Sequence, residues 1–458
     1  MDISKYIPNP KFVNTLHRLF IDEPYTDIIY DSYEPQNGKT KVLLISSWLD
    51  YYINGRVSIV ILDNRYNDLR QLIDRIDSFN TTTSYHLVLN RNIYLFLNNE
   101  YRLIQVINLI RCLTSDKTII IDESDRNVGS CMPTTKKVRE NITREILTLL
   151  TPRDRVIYIS ATSFAVINSP HRNQRNIKYI HIPDNLYDGL EYRGLVHPKL
   201  EIITTNCLKH IYNLIHLGFG YDDSYIHEFF HYYHDFVNNQ VCNEQPNICL
   251  FNVFDKNIDK HRIRRFITSN FDNTKTTFVI YTGNGITEIT KDGMNNYDIY
   301  IGEYLQLYKD NGKKDPIIIF ATRMASRSQT FRPRDNTWKL THMFLYHNPK
   351  SNWEYRLQSL RCNGQYRPQD PPTKLYISTI DYHTLLLIRH NKKDMSKRLE
   401  MYKNIKPRDI WINTPMLLIR RDNITRKENQ DFRMVRSRNM IYGLDDINFE
   451  CTEYFIYR

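Results

Sequence analysis

The chain has 458 residues, 41% hydrophobic and 25% charged, which excludes a disordered polypeptide and leaves room for two or three domains with their own cores. A formal charge of +11 at pH 7 points to a polyanionic partner. No apolar run approaches the roughly 20 residues that cross a bilayer, so no membrane partner is expected.

Seven scattered cysteines without a C-x-x-C pair, and no signal-like start in MDISKYIPNPKF, predict free thiols in a reducing intracellular compartment, cytoplasm or nucleus. Tyr (33) and Phe (20) are abundant, most of them expected in cores and some free to stack on bases.

After an N-terminal extension (residues 1–24), residues 25–182 alternate short apolar runs with amphipathic stretches. TDIIYDSY, SIVILDN, YHLVLN, TIIIDES and VIYISAT read as strands. KVLLISSWLDYYI and NDLRQLIDRIDSF read as helices, the second with Leu69, Leu72, Ile73 and Ile76 on one face. Strand and helix in repetition predict a mostly parallel sheet covered on both faces.

Residues 183–245, rich in His and Tyr, predict a helical connector. A second alternating lobe spans residues 246–381, with strands NICLFNVF, TTFVIYT, DPIIIFAT, LTHMFLY and KLYIST and helices HRIRRFI and NWEYRLQSLRC. Residues 382–458 form a basic C-terminal extension, with runs such as NKKDMSKRLEMYKNIKPR, where protein partners are expected to dock. The expected fold class is therefore α/β, two lobes with a connector and an extension.

Within the first lobe, Gly38-Lys39-Thr40 stands between a strand and a helix. A phosphate cradle needs converging backbone N–H groups, a lysine for the outer phosphates and a hydroxyl for magnesium. A helix N-terminus adds partial positive charge. The pattern G-x-x-x-x-G-K-[ST] would set its first glycine at Tyr33, and Pro35 has no N–H to give. GKT alone is equally the signature of a turn.

TIIIDESD then places Asp122 and Glu123 at the end of a β-branched run. In a phosphate-hydrolysing site Asp122 would hold magnesium together with Thr40, and Glu123 would orient and deprotonate the attacking water. An isolated acidic pair is otherwise a solvated turn. VIYISAT closes the next strand with Ser160, Ala161 and Thr162.

In that order, GKT, DESD and SAT resemble the superfamily-two helicases, the DEAD/DExH-box type of RecA-like motor. The resemblance covers residues from about 25 to 380 and implies two RecA-like lobes with ATP and Mg2+ between them and nucleic acid across their tops. It implies that Gln36, Asn37, Gly38, Lys39 and Thr40 surround the phosphates. Ser160 and Thr162 would link hydrolysis to the nucleic-acid groove.

IIIFATRMASRSQTF resembles the S-R-G-x-T strand-and-loop, with Arg327 toward the nucleotide, Thr330 toward nucleic acid and Ser328 where glycine is usual. LQSLRCNGQYRP resembles the arginine-finger helix. Gln358 and Arg361 would face the terminal phosphate, Arg361 stabilising the transferred phosphoryl group. Leu360 replaces the usual glycine there, and Arg367 stands in for a displaced second arginine.

SIVILDNRYNDLRQL resembles the strand-end segment that touches the nucleic-acid backbone, through Asn64 and Arg65; Asn98 and Asn99, after IYLFL, form a similar loop. The activity implied is an ATP-dependent helicase or translocase, on DNA or RNA. Glycines absent at Tyr33, Ser328 and Leu360 keep a second reading open. That reading is a nucleic-acid-binding or assembly protein on a degenerate motor fold, with weak or no hydrolysis.

A rival motif lies in the connector. His227-Glu228-Phe229-Phe230-His231 matches H-E-x-x-H, which on a helix sets two imidazoles on one face for zinc with the glutamate as base. The extended zinc pattern fails, because His234 and Val237 occupy its glycine and third-histidine positions. The expectation is an aromatic-rich packed helix with histidines at its polar edge.

Overall fold

A computed structural model of the chain describes residues 10–32, 38–83, 86–124, 135–160, 166, 176–182, 191–192, 195–196, 199–217, 223–242, 244–252, 260–271, 276–282, 285–290, 293–321, 331–335, 337–347, 356, 359–361, 371–400, 418–420 and 454–456. Two units emerge, one drawn mainly from residues 1–187 and the other from 188–392.

The first unit runs α1 (Pro10–Asp22), β1 (Asp27–Asp31), α2 (Lys39–Asn54), β2 (Val57–Leu62), α3 (Tyr66–Thr83), β3 (Ile93–Leu97), α4 (Glu100–Cys112), β4 (Lys117–Ile121), α5 (Thr135–Thr148), β5 (Arg155–Ser160) and β6 (Ile177–His181). Its six strands form one sheet in the order β3-β2-β4-β5-β1-β6, every neighbouring pair parallel.

Parallel strands need crossover connections, and helices on both faces bury the sheet. Every residue of β1, β2, β4 and β5 is buried, whereas the edge strands β3 and β6 are partly exposed. Near-continuous apolar runs such as VIYIS are the sequence image of that double coverage. Helix α2 is buried from Val42 through Asp50, so it reads as an apolar run rather than a stripe. Helix α1 lies inside the span expected as an extension. Its Phe12, Leu16, Leu19 and Phe20 share a core with Leu44, Trp48 and Leu49 of α2.

YHLVLN, expected as a strand, is not one. Asn90 sits at φ 60, and Asn92 accepts from Val88 N at 2.7 Å and donates to His86 O at 3.0 Å. Side-chain bonds thus occupy the backbone groups that a ladder would use, and the strand is the next run, Ile93–Leu97.

At the N-terminal ends of these strands lies a closed charge network. Asp50 Oδ1 lies 2.9 Å from Arg56 Nη1 and 3.6 Å from Arg155 Nη1, and accepts from Asn54 Nδ2 at 2.7 Å. Its other oxygen takes the Thr118 hydroxyl. Arg155 also stacks over Phe20, 4.5 Å from the ring centre, tying α1 to the sheet.

The second unit contains β7 (Glu191–Tyr192), β8 (Leu195–Val196), β9 (Leu200–Thr204), α6 (Cys207–Leu217), α7 (Asp223–Asn238), β10 (Ile248–Asn252), α8 (Lys260–Asn270), β11 (Thr277–Thr282), β12 (Gly285–Thr290), β13 (Gly293–Tyr297), α9 (Ile301–Asp310), β14 (Ile317–Ala321), β15 (His342–Leu345), β16 (Thr373–Ile377) and α10 (Thr379–Glu400). Eight strands form a sheet in the order β13-β12-β11-β14-β10-β15-β16-β9, parallel except for β11-β12-β13.

The antiparallel meander turns through Gly285 at φ 98, where a Cβ would meet Tyr297 O at 2.3 Å. A short pair, β17 (Leu418–Arg420) with β18 (Tyr454–Ile456), lies in the C-terminal extension.

The segment expected as a connector belongs to this second layer. Strand β9 pairs with β16 in register Leu200↔Thr373 to Thr204↔Ile377. Helices α6 and α7 set Leu208, Ile211, Phe229 and Phe236 into one cluster with Phe251, Phe344 and Tyr376 of the sheet. Among the described residues of that segment, two amphipathic helix faces thus meet an apolar sheet face.

Candidate nucleotide-binding site

In a parallel sheet all C-terminal strand ends share one edge, where ligands of open α/β sheets bind. Strands β1 to β5 end at Asp31, Leu62, Leu97, Ile121 and Ser160. Residues 38–40, 63–65, 98–99, 122–124 and 160 therefore gather along one edge of the first sheet.

Gly38 caps α2 in the left-handed conformation, φ 76 and ψ 13, which costs an L side chain strain and glycine almost nothing. The first intrahelical bond runs from Val42 N to Gly38 O at 3.1 Å. The N–H groups of that first turn have no acceptor within the helix, which makes the position favourable to an anion.

Lys39, at the head of α2, extends its Nζ to Glu123 Oε1 at 2.9 Å. Glu123 is 2% exposed and sits at φ 45, an uncommon region for a long side chain and one associated with strained functional sites. The turn that holds it is pinned to both flanking strands. Asp122 N donates to Ile61 O at 3.0 Å on β2, and Ser124 Oγ to Ile159 O at 3.1 Å on β5.

The carboxylates here repel one another. Burial, then the neighbouring Glu123, pushes Asp122 up to about 6, against Lys39 and Arg75. Burial pushes Asp68 on α3 up to about 8, with Asp63, Asp122 and Glu123 adding and Arg65 opposing. Arg75, also on α3, donates from Nη1 to Thr40 Oγ1 at 2.5 Å.

Arg75, Asp63 and Asp68 had no signal in the sequence. Arg75 and Thr40 lie 35 residues apart in the chain, and only the fold brings α3 against α2. What did stand in the sequence, GKT and DE, is brought together: Gly38, Lys39 and Thr40 face Asp122 and Glu123 through the ion pair.

This donor set suits a magnesium–nucleotide ligand. The hydroxyl of Thr40 and the carboxylate of Asp122 are hard oxygen donors, and magnesium takes one or two such ligands plus phosphate oxygens rather than a full protein cage. Among the described residues no group of three or more His, Cys, Asp or Glu could hold a metal by itself.

The strand-end residues expected on nucleic acid divide. Asn64 is exposed, and its Oδ1 accepts from Asn99 Nδ2 at 2.9 Å, so the loops after β2 and β3 are joined. Asn99 also caps α4, accepting from Arg102 N at 3.0 Å. Arg65 turns onto Asp63, Nε to Oδ2 3.4 Å. Asn98 is buried, its N–H bonded to Leu62 O at 2.8 Å, which leaves Asn99 as the surface residue of that loop. Ser160 is buried at the end of β5 and its carbonyl accepts from Ser32 N at 3.3 Å.

In the second unit Arg361 is 3% exposed. Gln36, Asn37, Thr162, Arg327, Thr330, Gln358 and Arg367 lie outside the described residues.

The glutamate of the zinc alternative is already engaged. Glu228 accepts from Thr205 Oγ1 at 2.8 Å and from Tyr232 Oη at 2.9 Å. Phe229, Tyr233 and Phe236 form the buried face of α7, with His227, His231 and His234 exposed on its outside. That is the packed aromatic helix.

No protein-family model matches the chain, and no curated protein does. Its fold is similar to solved structures of superfamily-two helicases. The DEAD-box helicase Mss116 bound to ssRNA and UDP-BeF is 13% identical, with a TM-score of 0.46 over 91% of this chain and 76% of that one. A point variant of S. cerevisiae Dbp5 bound to RNA and ADP BeF3 is 10% identical, with a TM-score of 0.45 over 85% of this chain and 93% of that one. The Sulfolobus solfataricus SWI2/SNF2 ATPase core in complex with dsDNA is 13% identical, with a TM-score of 0.30 over 86% and 96%. At these identities and scores the likeness is one of fold class, already visible in the two mostly parallel sheets.

Proposed function

We propose that the chain is a nucleic-acid-dependent ATPase of the superfamily-two helicase type, a helicase or translocase. The observation that carries this is the Lys39–Glu123 ion pair at 2.9 Å, which joins the head of α2 to the acidic turn after β4. A chance GKT turn and a chance acidic pair have no reason to meet at the C-terminal edge of one parallel sheet.

In this reading the first-turn N–H groups of α2 and Lys39 bind the phosphates of ATP. Thr40 and Asp122 hold Mg2+, which neutralises charge on the phosphates when bound. Glu123 orients the attacking water and accepts its proton. Arg361, with Gln358, stabilises charge on the transferred phosphoryl group. Asn64 and Asn99 hold the nucleic-acid backbone through the joined loops, and the +11 charge makes that binding salt-dependent.

The Arg75–Thr40 bond supports the other reading, a degenerate motor fold that binds nucleic acid with little hydrolysis, because it engages the hydroxyl that magnesium would need. The deciding measurement is ATP turnover by the full chain with and without single-stranded DNA and RNA, beside Lys39→Ala and Glu123→Gln. Polymer-stimulated turnover lost in both variants is expected. Turnover that never exceeds that of the variants, with one polymer bound tightly, returns the chain to the scaffold reading.

A further inference from the structure

Two strand ends of the first unit carry the same short pattern. Asn64-Arg65-Tyr66 follows β2, and Asn99-Glu100-Tyr101 follows β3. The two asparagines meet, Asn64 Oδ1 accepting from Asn99 Nδ2 at 2.9 Å. Each tyrosine opens the helix beyond, Tyr66 as the first residue of α3 and Tyr101 as the second of α4. Strands β2 and β3 are parallel neighbours, so both tyrosines stand at the C-terminal edge that also carries Lys39 and Glu123. The connection β2-α3-β3 runs one way along the sheet and β3-α4-β4 the other. Right-handed crossovers therefore set α3 and α4 on opposite faces, and the helices leave on either side of the Asn64–Asn99 bond.

Tyr30 and Tyr158 of the same unit are fully buried, but Tyr66 is 57% and Tyr101 68% exposed. An arginine lies over each exposed ring. Arg70 Cζ stands 4.6 Å from the centre of Tyr66, and Arg102 Cζ 5.5 Å from that of Tyr101. Arg102 is itself held, its Nη1 donating to Gln105 Oε1 at 2.9 Å. A cation over one face steadies a ring and leaves its other face for a second flat partner. Charge alone gathers little here: Arg65 faces Asp63, and Glu100 shares the first turn of α4 with Arg102. The rings are what this crest adds to the two amides.

We propose that Tyr66 and Tyr101 are stacking platforms for unpaired bases, so that this edge grips a single strand by its bases as well as its backbone. This rests on the reading above that nucleic acid lies against Asn64 and Asn99. Every base offers a π-face, whatever its identity, and an arginine beside an aromatic ring serves the adjoining phosphate. A duplex keeps its bases stacked on one another, and a face becomes available only when a base leaves the stack. The ligand is therefore a single-stranded nucleic acid, bound through two separate rings and without preference for base sequence.

The test is equilibrium binding by fluorescence anisotropy on the full chain, with a non-hydrolysable ATP analogue present. The probes are labelled oligothymidylate and oligouridylate, an abasic strand of the same length and a blunt duplex of the same length. Tyr66→Ala and Tyr101→Ala should each raise the Kd for the preferred single strand about 10-fold, the loss of one stacked base. Tyr66→Phe and Tyr101→Phe keep the ring and should bind as the parent does. On the abasic strand and the duplex, all five proteins should bind alike. An alanine variant that holds the single strand as tightly as the parent overturns the role of that ring. A phenylalanine variant as weak as the alanine one, or an equal loss on the abasic strand or the duplex, overturns stacking as the cause. A parent that binds neither single strand overturns the nucleic-acid reading of this edge and the inference with it. Ring-dependent binding in a chain that hydrolyses no ATP supports the inference and overturns the motor reading alone.

Discussion

Lys39 and Glu123 neutralise one another across 2.9 Å at the head of α2. A triphosphate that uses Lys39 must therefore compete with Glu123 for it. Replacing Glu123 with Gln removes the competitor and the base together. Glu123→Gln should bind ATP about 5- to 10-fold more tightly, the equivalent of about 1 kcal/mol, while turnover falls by roughly 10²–10⁴-fold. Equilibrium binding of a fluorescent ATP analogue, read beside steady-state hydrolysis, checks both. Weaker binding in this variant would mean that Lys39 is not shared in this way.

Gly38 opens α2 at φ 76. Gly38→Ala should cost roughly 1–2 kcal/mol through strain in the left-handed region and should also weaken nucleotide binding, since the first turn of α2 would shift to relieve it. Urea unfolding followed by circular dichroism measures the first effect. An alanine variant as stable as the parent would show that the backbone here adopts another conformation in solution.

Asp50 is closed from solvent between Arg56 and Arg155. Removing one partner of such a cluster leaves buried charge uncompensated, so Asp50→Ala should destabilise the first unit by about 3–5 kcal/mol. Asp235→Ala, which removes a partly exposed pair with Lys374 at 2.8 Å, should cost under about 1 kcal/mol. Denaturant midpoints of the two variants, compared at equal slope, separate these cases; similar losses would contradict the burial argument.

Asp68 is held near 8, far above its ordinary 3.8, mainly by burial. An acid whose folded pKa is raised binds its proton more tightly in the folded state. Its contribution to stability is complete below about pH 4 and declines as pH rises toward 8, at up to ~1.4 kcal/mol per pH unit. Asn in place of Asp68 mimics the protonated form. Asp68→Asn should therefore match the parent at low pH and exceed it in stability at pH 8, seen as thermal midpoints that diverge with rising pH. Parallel midpoints across that range would place Asp68 in a polar setting.

The parts of the fold and site visible in the sequence are those set by local demands. Gly38 is needed because the backbone turns left-handed there, and the apolar runs ending in Asp122 and Ser160 are the signature of strands buried on both faces. Long-range pairing has no such local mark. Nothing near Arg155 in the chain announces Asp50, 105 positions earlier, and nothing near Thr40 announces Arg75. The meander β12–β13 was equally silent, because Asn295 and Asn296 are exposed on an edge strand and carry no apolar alternation. YHLVLN failed for the opposite reason: it has a strand's composition, but Asn80 and Asn92 claim its backbone groups first.

The place of β1 in its sheet has a consequence for how the chain is made. Strand β1 leaves the ribosome early, yet its two neighbours are β5 and β6, the last strands of that sheet to be synthesised. At about 5–20 residues per second, Ile28, Ile29 and Tyr30 wait on the order of ten seconds before Ile157–Ser160 exist to pair with them. The nascent chain carries that sticky segment, wholly buried once paired, through most of the synthesis of its first lobe. The sheet is completed when its earliest strand slots between its two latest ones.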